Sequence, residues 1–175
     1  MAAGKLSFSG TIRPADGNAG RAEIIRLAHV IWREHYTPLI GSAQVEYMLA
    51  QRYTQAALAA AQAHGYRFLL ACEVATGDAI AYAGWVAAAA DDNLAWLEQI
   101  YVLSTARRTG VAGALLQRVT EDSANATLKL RVNRHNNKAI AAYRRLGFVI
   151  ETTDVKDIGD GFVMDDYIMR RPAGG

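Results

Sequence analysis

The spacing of apolar residues along the chain predicts about four helices. The first runs from about Asn18 to His35, and its apolar residues recur at every third or fourth position, so they share one face. A second helix over about 42–63 and a third over 111–123 show the same spacing. The apolar faces of these three helices comprise Ile24, Leu27, Ala28 and Ile31, then Val45, Met48, Leu49 and Tyr53, then Val111, Leu115 and Val119.

The ends of the predicted helices carry local signals. The segment Tyr36-Thr37-Pro38 separates the first helix from the second, and Ser42 can cap the second through its hydroxyl. The fourth helix covers about 136–146. It is followed by Gly147, a residue that commonly ends helices because it adopts the left-handed conformation at no steric cost.

Alternating or continuously apolar runs between turn signals predict about seven strands. The turns are 14–17, 76–78, 91–93 and 159–161, and the strands are 6–13, 67–73, 79–89, 94–102, 127–132, 148–155 and 162–169. The three strands between 67 and 102 are joined by tight turns and form an antiparallel meander. A helix connects the strands 94–102 and 127–132, which makes this pair parallel. The predicted fold is α/β (α+β), with a mixed, mostly antiparallel sheet and a parallel junction in its middle.

Length and composition favour one ordinary globular domain over residues 1–175. Apolar residues make up 51% of the 175 residues and charged residues 21%. The ends, at 1–5 and 172–175, are expected to be loose. The sequence contains no signal-peptide pattern and no uncharged apolar run approaching about 18 residues. We therefore expect no membrane partner and a cytoplasmic location, which the single cysteine, Cys72, also suits.

Charge is distributed unevenly along the chain. The net charge of +2 is too small to indicate nucleic-acid binding. Residues 151–166 hold six carboxylates and one lysine, a net charge of −5. This segment is interpreted either as a solvated acidic hairpin or as an electrostatic guide for a cationic substrate.

A loop of small and basic residues lies between the fourth strand and the third helix. It reads Arg107-Arg108-Thr109-Gly110-Val111-Ala112-Gly113. The first turn of a helix has free N–H groups and a positive dipole end, and small residues let phosphate oxygens approach that backbone. Neither Gly-Lys-Ser/Thr nor G-x-G-x-x-G occurs, so a Walker loop and a dinucleotide fingerprint are excluded. The pattern predicts a pyrophosphate site, with a tightly packed helix start as the alternative.

A second motif follows in the segment 132–148, as Asn-x-x-Asn-x-x-Ala-x-x-x-Tyr-x-x-x-Gly-Phe from Asn133 to Phe148. Together with Arg-x-x-Gly-x-Ala at 107–112, it resembles the GCN5-related N-acetyltransferase (GNAT) superfamily, most strongly over 94–149. The resemblance implies the GNAT fold, in which the parallel junction is splayed. It also implies an enzyme that uses acetyl-CoA as cosubstrate and transfers the acetyl group to a primary amine by direct attack in a ternary complex.

Three further segments, 32–36, 97–102 and 161–169, are similar to the polyamine (spermidine/spermine) N-acetyltransferase-like branch of that superfamily. This similarity implies a small-molecule acceptor, a polyamine or another small cationic amine. Acetylation of a protein N-terminus or lysine stays open as an alternative, as does a non-catalytic acyl-CoA sensor. A homodimer is an expectation from the family alone.

The resemblance also assigns the cofactor site. Tyr143 would protonate the departing CoA thiolate, as a phenol can do, although a core aromatic is the alternative. Asn136 would bind the pantetheine arm while capping its own helix, and the backbone of 100–102 would bind the pantetheine amides. The predicted cofactor residues are Ile100, Tyr101, Val102, Arg107, Arg108, Thr109, Gly110, Val111, Ala112, Gly113, Asn136 and Tyr143.

Glu98 is the second candidate catalytic residue. Strand alternation puts Trp96, Glu98, Ile100 and Val102 on one face, although a bulge would reverse this facing. A carboxylate on an apolar strand face is interpreted as a general base for the substrate ammonium, acting directly or through water, or as a paired structural carboxylate. From the resemblance, the predicted acceptor-binding residues are Trp32, Glu34, Tyr36 and Glu98. Packing at the helix end is the alternative role for the first three.

Cysteine and histidine are two other residue types that could carry chemistry. Cys72 lies in the middle of an apolar strand, which favours an inert buried thiol over an acyl carrier. The four histidines are widely scattered, and no metal site is predicted from them. They are His29, His35, His64 and His135.

Overall fold

The computed structural model of the chain describes residues 8–88 and 93–174. The loose start predicted at 1–5 lies outside these residues, and so do the first two positions of the strand predicted at 6–13. Most of the turn predicted at 91–93, the end of the strand predicted to reach residue 89, and Gly175 also lie outside them.

The described residues form seven strands and six α-helices. The strands are β1 (Thr11–Pro14), β2 (Arg67–Cys72), β3 (Ala79–Ala87), β4 (Leu94–Val102), β5 (Thr127–Asn133), β6 (Val149–Gly159) and β7 (Phe162–Arg171). The helices are α1 (Gly17–His35), α2 (Thr37–Ile40), α3 (Ser42–Arg52), α4 (Gln55–Ala63), α5 (Val111–Asp122) and α6 (Asn137–Arg145), with a short 3-10 helix at Ser104–Ala106. None of the helices in the described part of the chain has both the length and the apolarity needed to cross a membrane.

One sheet contains all seven strands, in the order β1-β2-β3-β4-β5-β7-β6. Every neighbouring pair is antiparallel except β4 and β5, which are parallel. The parallel pairing covers only Leu94–Trp96 against Thr127–Lys129, and beyond it the two strands part. The predicted mixed sheet with a splayed parallel junction is therefore confirmed.

Apolar side chains fill both faces of the sheet, because successive residues of a strand point to opposite sides. In β2, Leu69 and Ala71 enter a core shared with α5 and α6, whereas Phe68 and Leu70 enter a core shared with α1, α3 and α4. The apolar stripes predicted for the first three helices are buried in these two cores. They comprise Ile24, Leu27, Ala28, Ile31, Val45, Met48, Leu49, Tyr53, Val111, Leu115 and Val119.

The long helix predicted over 42–63 is wrong, because the chain breaks it into two. Helix α3 ends at Arg52, Tyr53 leaves the helical conformation (φ −115°, ψ 55°), and the Thr54 hydroxyl oxygen caps α4 by accepting from the Ala57 amide at 3.1 Å. The buried Tyr53 ring packs against Trp32, so tertiary packing decides this break. The capping role predicted for Ser42 is also wrong, because Gly41 holds the N-cap position and no side chain caps α3.

Strand β4 contains a bulge that changes which residues face which cavity. In its pairing with β3, Gln99 lies opposite Gly84 and Leu97 lies opposite Trp85, so Glu98 is the extra residue. A Cβ at Gly84 would lie 2.8 Å from the buried Phe68 ring and would also meet the end of the Gln99 side chain, so a larger residue would require the ring to shift. Because of this extra residue, Leu97 before the bulge and Ile100 after it face the same core.

The prediction that Trp96, Glu98, Ile100 and Val102 share one face is consequently wrong. Leu97, which precedes the bulge, is buried in the core beside α5, and Ile100 and Val102 after the bulge pack against that same core. Glu98 lies on the opposite face of the sheet, beside Arg131.

Candidate active site

Two cavities lie on either side of a pair of tyrosines, Tyr36 and Tyr101. The first, here named the loop cavity, has a volume of about 540 Å³ and lies between the end of β4 and the starts of α5 and α6. The second, here named the hairpin cavity, has a volume of about 460 Å³ and lies between α1, α3, α4 and the hairpin of β6 and β7. Tyr36 and Tyr101 line both cavities, so a single wall separates two binding spaces.

The mouth of the loop cavity is built to hold an anion. Gly110 takes the left-handed conformation (φ 87°) at the N-cap of α5, and the first hydrogen bond of that helix runs from the Ala114 amide to the Gly110 carbonyl at 3.0 Å. The amides of 111–113 therefore have no carbonyl partner within the helix, and the positive end of its dipole lies there. Basic side chains line the same cavity, namely Arg107, Arg108, Lys138 and Arg145.

All but one of the predicted cofactor residues line the loop cavity. The exception is Thr109, whose hydroxyl donates to the Ala106 carbonyl at 2.8 Å and holds the turn before α5. The residues that do line it are Ile100, Tyr101, Val102, Arg107, Arg108, Gly110, Val111, Ala112, Gly113, Asn136 and Tyr143.

Sequence reasoning missed several other residues of this cavity. Four of them, Ala139, Ala142, Arg145 and Leu146, belong to α6 or its C-cap, and this helix carries the motif from Asn136 to Tyr143. Ile31 and His35 come from α1, more than a hundred residues away, and no local pattern links them to α6.

The parting of β4 and β5 leaves one edge of β4 open along the loop cavity. Residues Ile100 and Val102 pair with β3 on their other edge, opposite Ala83 and Ala81. Toward β5, the pairing stops at Trp96. An extended chain can hydrogen-bond to such an open strand edge in the manner of an added strand.

Tyr143 lies on the wall of the loop cavity, on the same face of α6 as Ala139 and Asn136. Its ring packs edge-on against Phe148, with centroids 5.8 Å apart. Burial raises the pKa of the Tyr143 phenol, and the neighbouring Tyr36 raises it further. The hydroxyl therefore remains protonated at neutral pH and can donate a proton.

Asn136 joins α6 to the end of α1. Its side-chain oxygen accepts from the Ala139 amide at 3.2 Å, which confirms the predicted N-cap, and its Nδ2 lies 3.0 Å from His35 Nε2. Because the amide nitrogen is the donor in that contact, His35 Nε2 must accept and its proton sits on Nδ1. Burial lowers the pKa of His35, as does the nearby Arg107, so this ring is neutral.

Aromatic side chains form one wall of the hairpin cavity. The Trp32 and Tyr36 rings have centroids 4.6 Å apart, and the Tyr36 hydroxyl donates to the Tyr101 hydroxyl at 3.3 Å. Burial raises the pKa of Tyr53, in the same wall, to about 12. Of the predicted acceptor residues, Trp32 and Tyr36 line this cavity, whereas Glu34 is exposed to solvent and lines neither cavity.

Carboxylates form another part of the hairpin-cavity wall. Glu98 is 3.9 Å from the Arg131 guanidinium, which also pairs with Asp154 at 2.7 Å and stacks on the Trp96 ring at 4.2 Å. Asp166, on β7, is only 3% exposed, and its Oδ1 has no hydrogen-bond partner among the described residues.

Asp166 was not predicted as a site residue. The alternation of β7 could have indicated it, since Asp166 falls two residues after Met164, which lines the same cavity. Burial, together with the adjacent Asp154, raises the pKa of Asp166 to about 6.

Half of the six acids of the hairpin segment 151–166 pair with cations of the protein. Glu151 pairs with Lys129 at 2.7 Å, and Asp165 pairs with Arg134 at 3.1 Å, in the same way as Asp154 pairs with Arg131. The segment is therefore neither fully solvated nor a cluster of unpaired negative charges. Its buried member, Asp166, faces a cavity.

The other residues considered for chemistry lie apart from both cavities or form no cluster. Cys72 is buried in the core beside α1. Within residues 8–88 and 93–174, no group of three or more histidine, cysteine, aspartate or glutamate side chains could hold a metal ion.

An anion-binding loop beside an open strand edge, with a separate cavity for a second reactant, is the arrangement of an acyl-CoA-dependent N-acyltransferase. Residues 25–148 match the family model of the acetyltransferase (GNAT) family. This match covers most of the chain, so the protein belongs to the GNAT acetyltransferase family, as its motifs predicted. It is an acyltransferase, and acetyl-CoA is its cosubstrate.

Solved structures of acetyltransferases share this fold. The chain is similar to PaiA N-acetyltransferase from Thermoplasma acidophilum in complex with coenzyme A, with 21% identity, coverage of 94% of this chain and 99% of the other, and a TM-score of 0.76. It is similar to the ribosomal-protein-S18-alanine N-acetyltransferase from Escherichia coli, with 21% identity, 95% coverage of both chains and a TM-score of 0.68. A phosphinothricin acetyltransferase from Sinorhizobium meliloti in complex with AcCoA is 22% identical, with coverage of 95% and 90% and a TM-score of 0.62. No curated protein matches the sequence.

Proposed function

We propose that the protein transfers an acetyl group from acetyl-CoA to the primary amine of a small molecule, by direct attack in a ternary complex. The observation that supports this most is the meeting of two cavities at Tyr36 and Tyr101. One cavity offers cations and free amides, and the other offers aromatic rings and carboxylates. Because neither substrate has to leave for the other to bind, both can be held at once.

In this proposal acetyl-CoA occupies the loop cavity. Its pyrophosphate accepts from the amides of 111–113 and from Arg107 and Arg108. The pantetheine arm hydrogen-bonds along the open edge of β4 at 100–102 and passes Asn136. The thioester then lies near Tyr143, close to the wall shared by both cavities.

The proposed chemistry needs one proton to leave the amine and another to reach the sulfur. A neutral amine attacks the thioester carbonyl, the C–S bond breaks, and Tyr143 donates its proton to the departing thiolate. The nitrogen loses a proton as the amide forms, which restores the tyrosine hydroxyl. Glu98 faces the hairpin cavity, and we propose that it attracts the cationic amine there. Glu98 and Asp166 are the two candidates to deprotonate that amine.

The volume of the hairpin cavity favours a small acceptor, because a small amine, including a polyamine, fits the space of about 460 Å³. The Tyr47 hydroxyl donates to the Ile158 carbonyl at 2.9 Å, and Gln44 Nε2 donates to the Val163 carbonyl at 3.1 Å. These contacts tie the tip of the hairpin to α3.

Mass spectrometry of products tests this function against its alternatives. The purified protein is incubated with acetyl-CoA and a panel containing polyamines, simple alkylamines, amino acids and a lysine-containing peptide. We expect acetylation of one or more small amines. Acetylation of the peptide alone would indicate a protein acetyltransferase, and binding of acetyl-CoA without any product would indicate a sensor.

The cofactor site has its own test at Gly110. Gly110→Glu adds a strained side chain and a negative charge where the pyrophosphate binds, so calorimetry should show loss of CoA binding. Gly65→Glu is the matched control, because Gly65 has the same left-handed conformation (φ 90°) with open space around it, away from the cavity. Unchanged CoA affinity in a folded Gly110→Glu variant would contradict the assignment.

A further inference from the structure

Asp166 is a buried carboxylate on the wall of the hairpin cavity. It is 3% exposed, it lines the cavity, and its Oδ1 has no hydrogen-bond partner among the residues that the structure describes. Leaving a buried carboxylate oxygen without a donor costs free energy. A ligand that brings a donor to this oxygen would remove that cost, and an ammonium group brings three.

The surroundings of Asp166 contain charges of both signs. Asp154 of β6 lies opposite it in the strand register, Arg131 comes from β5 and Arg52 from the end of α3. Arg131 is already engaged by Asp154 and by the ring of Trp96. The remaining titratable groups of the cavity wall are Glu98 of β4, Lys156 of β6 and the tyrosines Tyr36, Tyr53, Tyr66 and Tyr101.

Burial has the largest effect on the pKa of Asp166. It raises the pKa of Asp166 to about 6, with Asp154 and Asp165 acting in the same direction and Arg131 and Arg52 in the opposite one. At neutral pH the group is therefore mostly a carboxylate, yet it binds a proton more readily than an ordinary aspartate does. A general base works best when its pKa lies close to the pH at which it operates.

We propose that Asp166 binds the ammonium group of the acceptor and accepts its proton, an inference that rests on the proposed function. One N–H bond of the ammonium breaks, its electron pair stays on nitrogen, and the proton moves to a carboxylate oxygen of Asp166. The resulting amine attacks the thioester. The acidic form of Asp166 then releases its proton to water, so the turnover yields an N-acetyl product, free CoA and one proton.

Glu98 is less suited to this step than Asp166. Its side chain is 22% exposed, and the Arg131 guanidinium lies 3.9 Å away, so Glu98 already has a cationic partner and access to solvent. Asp166 has no ion pair of its own within the described part of the chain. Glu98 therefore attracts the cationic acceptor, while Asp166 takes the proton.

Steady-state kinetics against pH tests the inference with a primary amine that the wild type acetylates. The wild-type kcat/KM should fall below about pH 6, as Asp166 becomes protonated. Asp166→Asn should lower kcat/KM at pH 7 by about 10²-fold or more and abolish this acidic limb. Its residual rate should rise with pH, because free amine then forms in solution. CoA affinity should not change.

Asp165→Asn is the matched control, since Asp165 is the neighbouring aspartate and pairs with Arg134 on the outside of the hairpin. It should retain the acidic limb, moved slightly to lower pH by the loss of the Asp165 charge. The inference is overturned if Asp166→Asn keeps the acidic limb, or if Glu98→Gln abolishes the limb instead. The wild-type profile alone also overturns it if no limb occurs near pH 6. A wild type that acetylates no amine would overturn the proposed function itself, a result distinct from an active enzyme that does not need Asp166.

Discussion

At the scale of single residues, burial governs the titratable groups between the two cavities. It raises the pKa values of Tyr36, Tyr101 and Tyr143, so these phenols stay protonated at neutral pH. It also raises the pKa of Asp166 to about 6. Of these four groups, only Asp166 changes its charge close to neutrality, which separates the proposed proton acceptor, Asp166, from the proposed proton donor, Tyr143.

The role of Tyr143 is tested by a change that keeps its ring. Tyr143→Phe removes the hydroxyl and preserves the edge-on contact with Phe148, so the fold and the CoA affinity should persist. General acid catalysis contributes about 10²–10⁴-fold, and kcat should fall by a factor in that range. Stopped-flow or steady-state assays measure this fall. A Tyr143→Phe enzyme with full activity at pH 7 would reduce Tyr143 to a packing residue.

The raised pKa of Asp166 also predicts how stability depends on pH. The folded protein holds this proton more tightly than the unfolded chain, whose aspartate has a pKa near 3.8. Protonated Asp166 therefore stabilises the folded protein below about pH 4. This contribution to the free energy of unfolding, roughly 3 kcal/mol, is lost as the pH rises to about 6. Relative to wild type, Asp166→Asn should gain stability on going from pH 4 to pH 7. Denaturant melts of both proteins at pH 4 and pH 7 measure this gain. If the difference in stability between variant and wild type is the same at both pH values, the assignment is refuted.

At the scale of elements, two helices begin with a side-chain cap but serve different purposes. Asn136 caps α6 beside the loop cavity, and Thr54 caps α4 through the Ala57 amide, away from the loop cavity. Asn136→Ala and Thr54→Ala should each cost about 1 kcal/mol of stability. Only Asn136→Ala should also weaken CoA binding. Thermal melts and calorimetry on both variants measure the two effects, and equal CoA affinity would confine Asn136 to capping.

The elements show where sequence patterns succeed and where they fail. Periodicity located the seven strands and the apolar faces of three helices, because burial on one side imposes a regular repeat. It failed at Tyr53, where helical spacing continues but an aromatic contact with Trp32 ends α3. It failed again at Glu98, where Gly84 on the partner strand admits a bulge that no alternation within β4 reveals.

The same limit applies to the candidate site. The loop at 107–113 and the motif around Asn136 are local, so the sequence could predict most of the loop cavity. The hairpin cavity is assembled from four distant segments, and its most buried carboxylate, Asp166, was counted with a group of surface acids. The alternation of β7 could have separated Asp166 from its neighbour Asp165, but the sequence does not show which side of β7 the helices cover.

At the scale of the whole molecule, the hairpin of β6 and β7 closes over the acceptor side. Tyr47→Phe removes the hydrogen bond to the Ile158 carbonyl and keeps the ring contact with Phe162, whose centroid is 5.2 Å away. One such bond is worth about 1 kcal/mol. We expect the KM of the acceptor amine to rise about fivefold, with CoA affinity unchanged. An equal loss for both substrates would indicate general destabilisation instead.

The two cavities draw on different stretches of the chain. The loop cavity is built from residues that lie within 25–148, the part that carries the family's shared pattern. The hairpin cavity also takes Asp154, Lys156, Ile158, Met164 and Asp166 from beyond that part. Substitutions in the terminal hairpin can therefore reshape one side of the acceptor space without replacing any residue that lines the loop cavity.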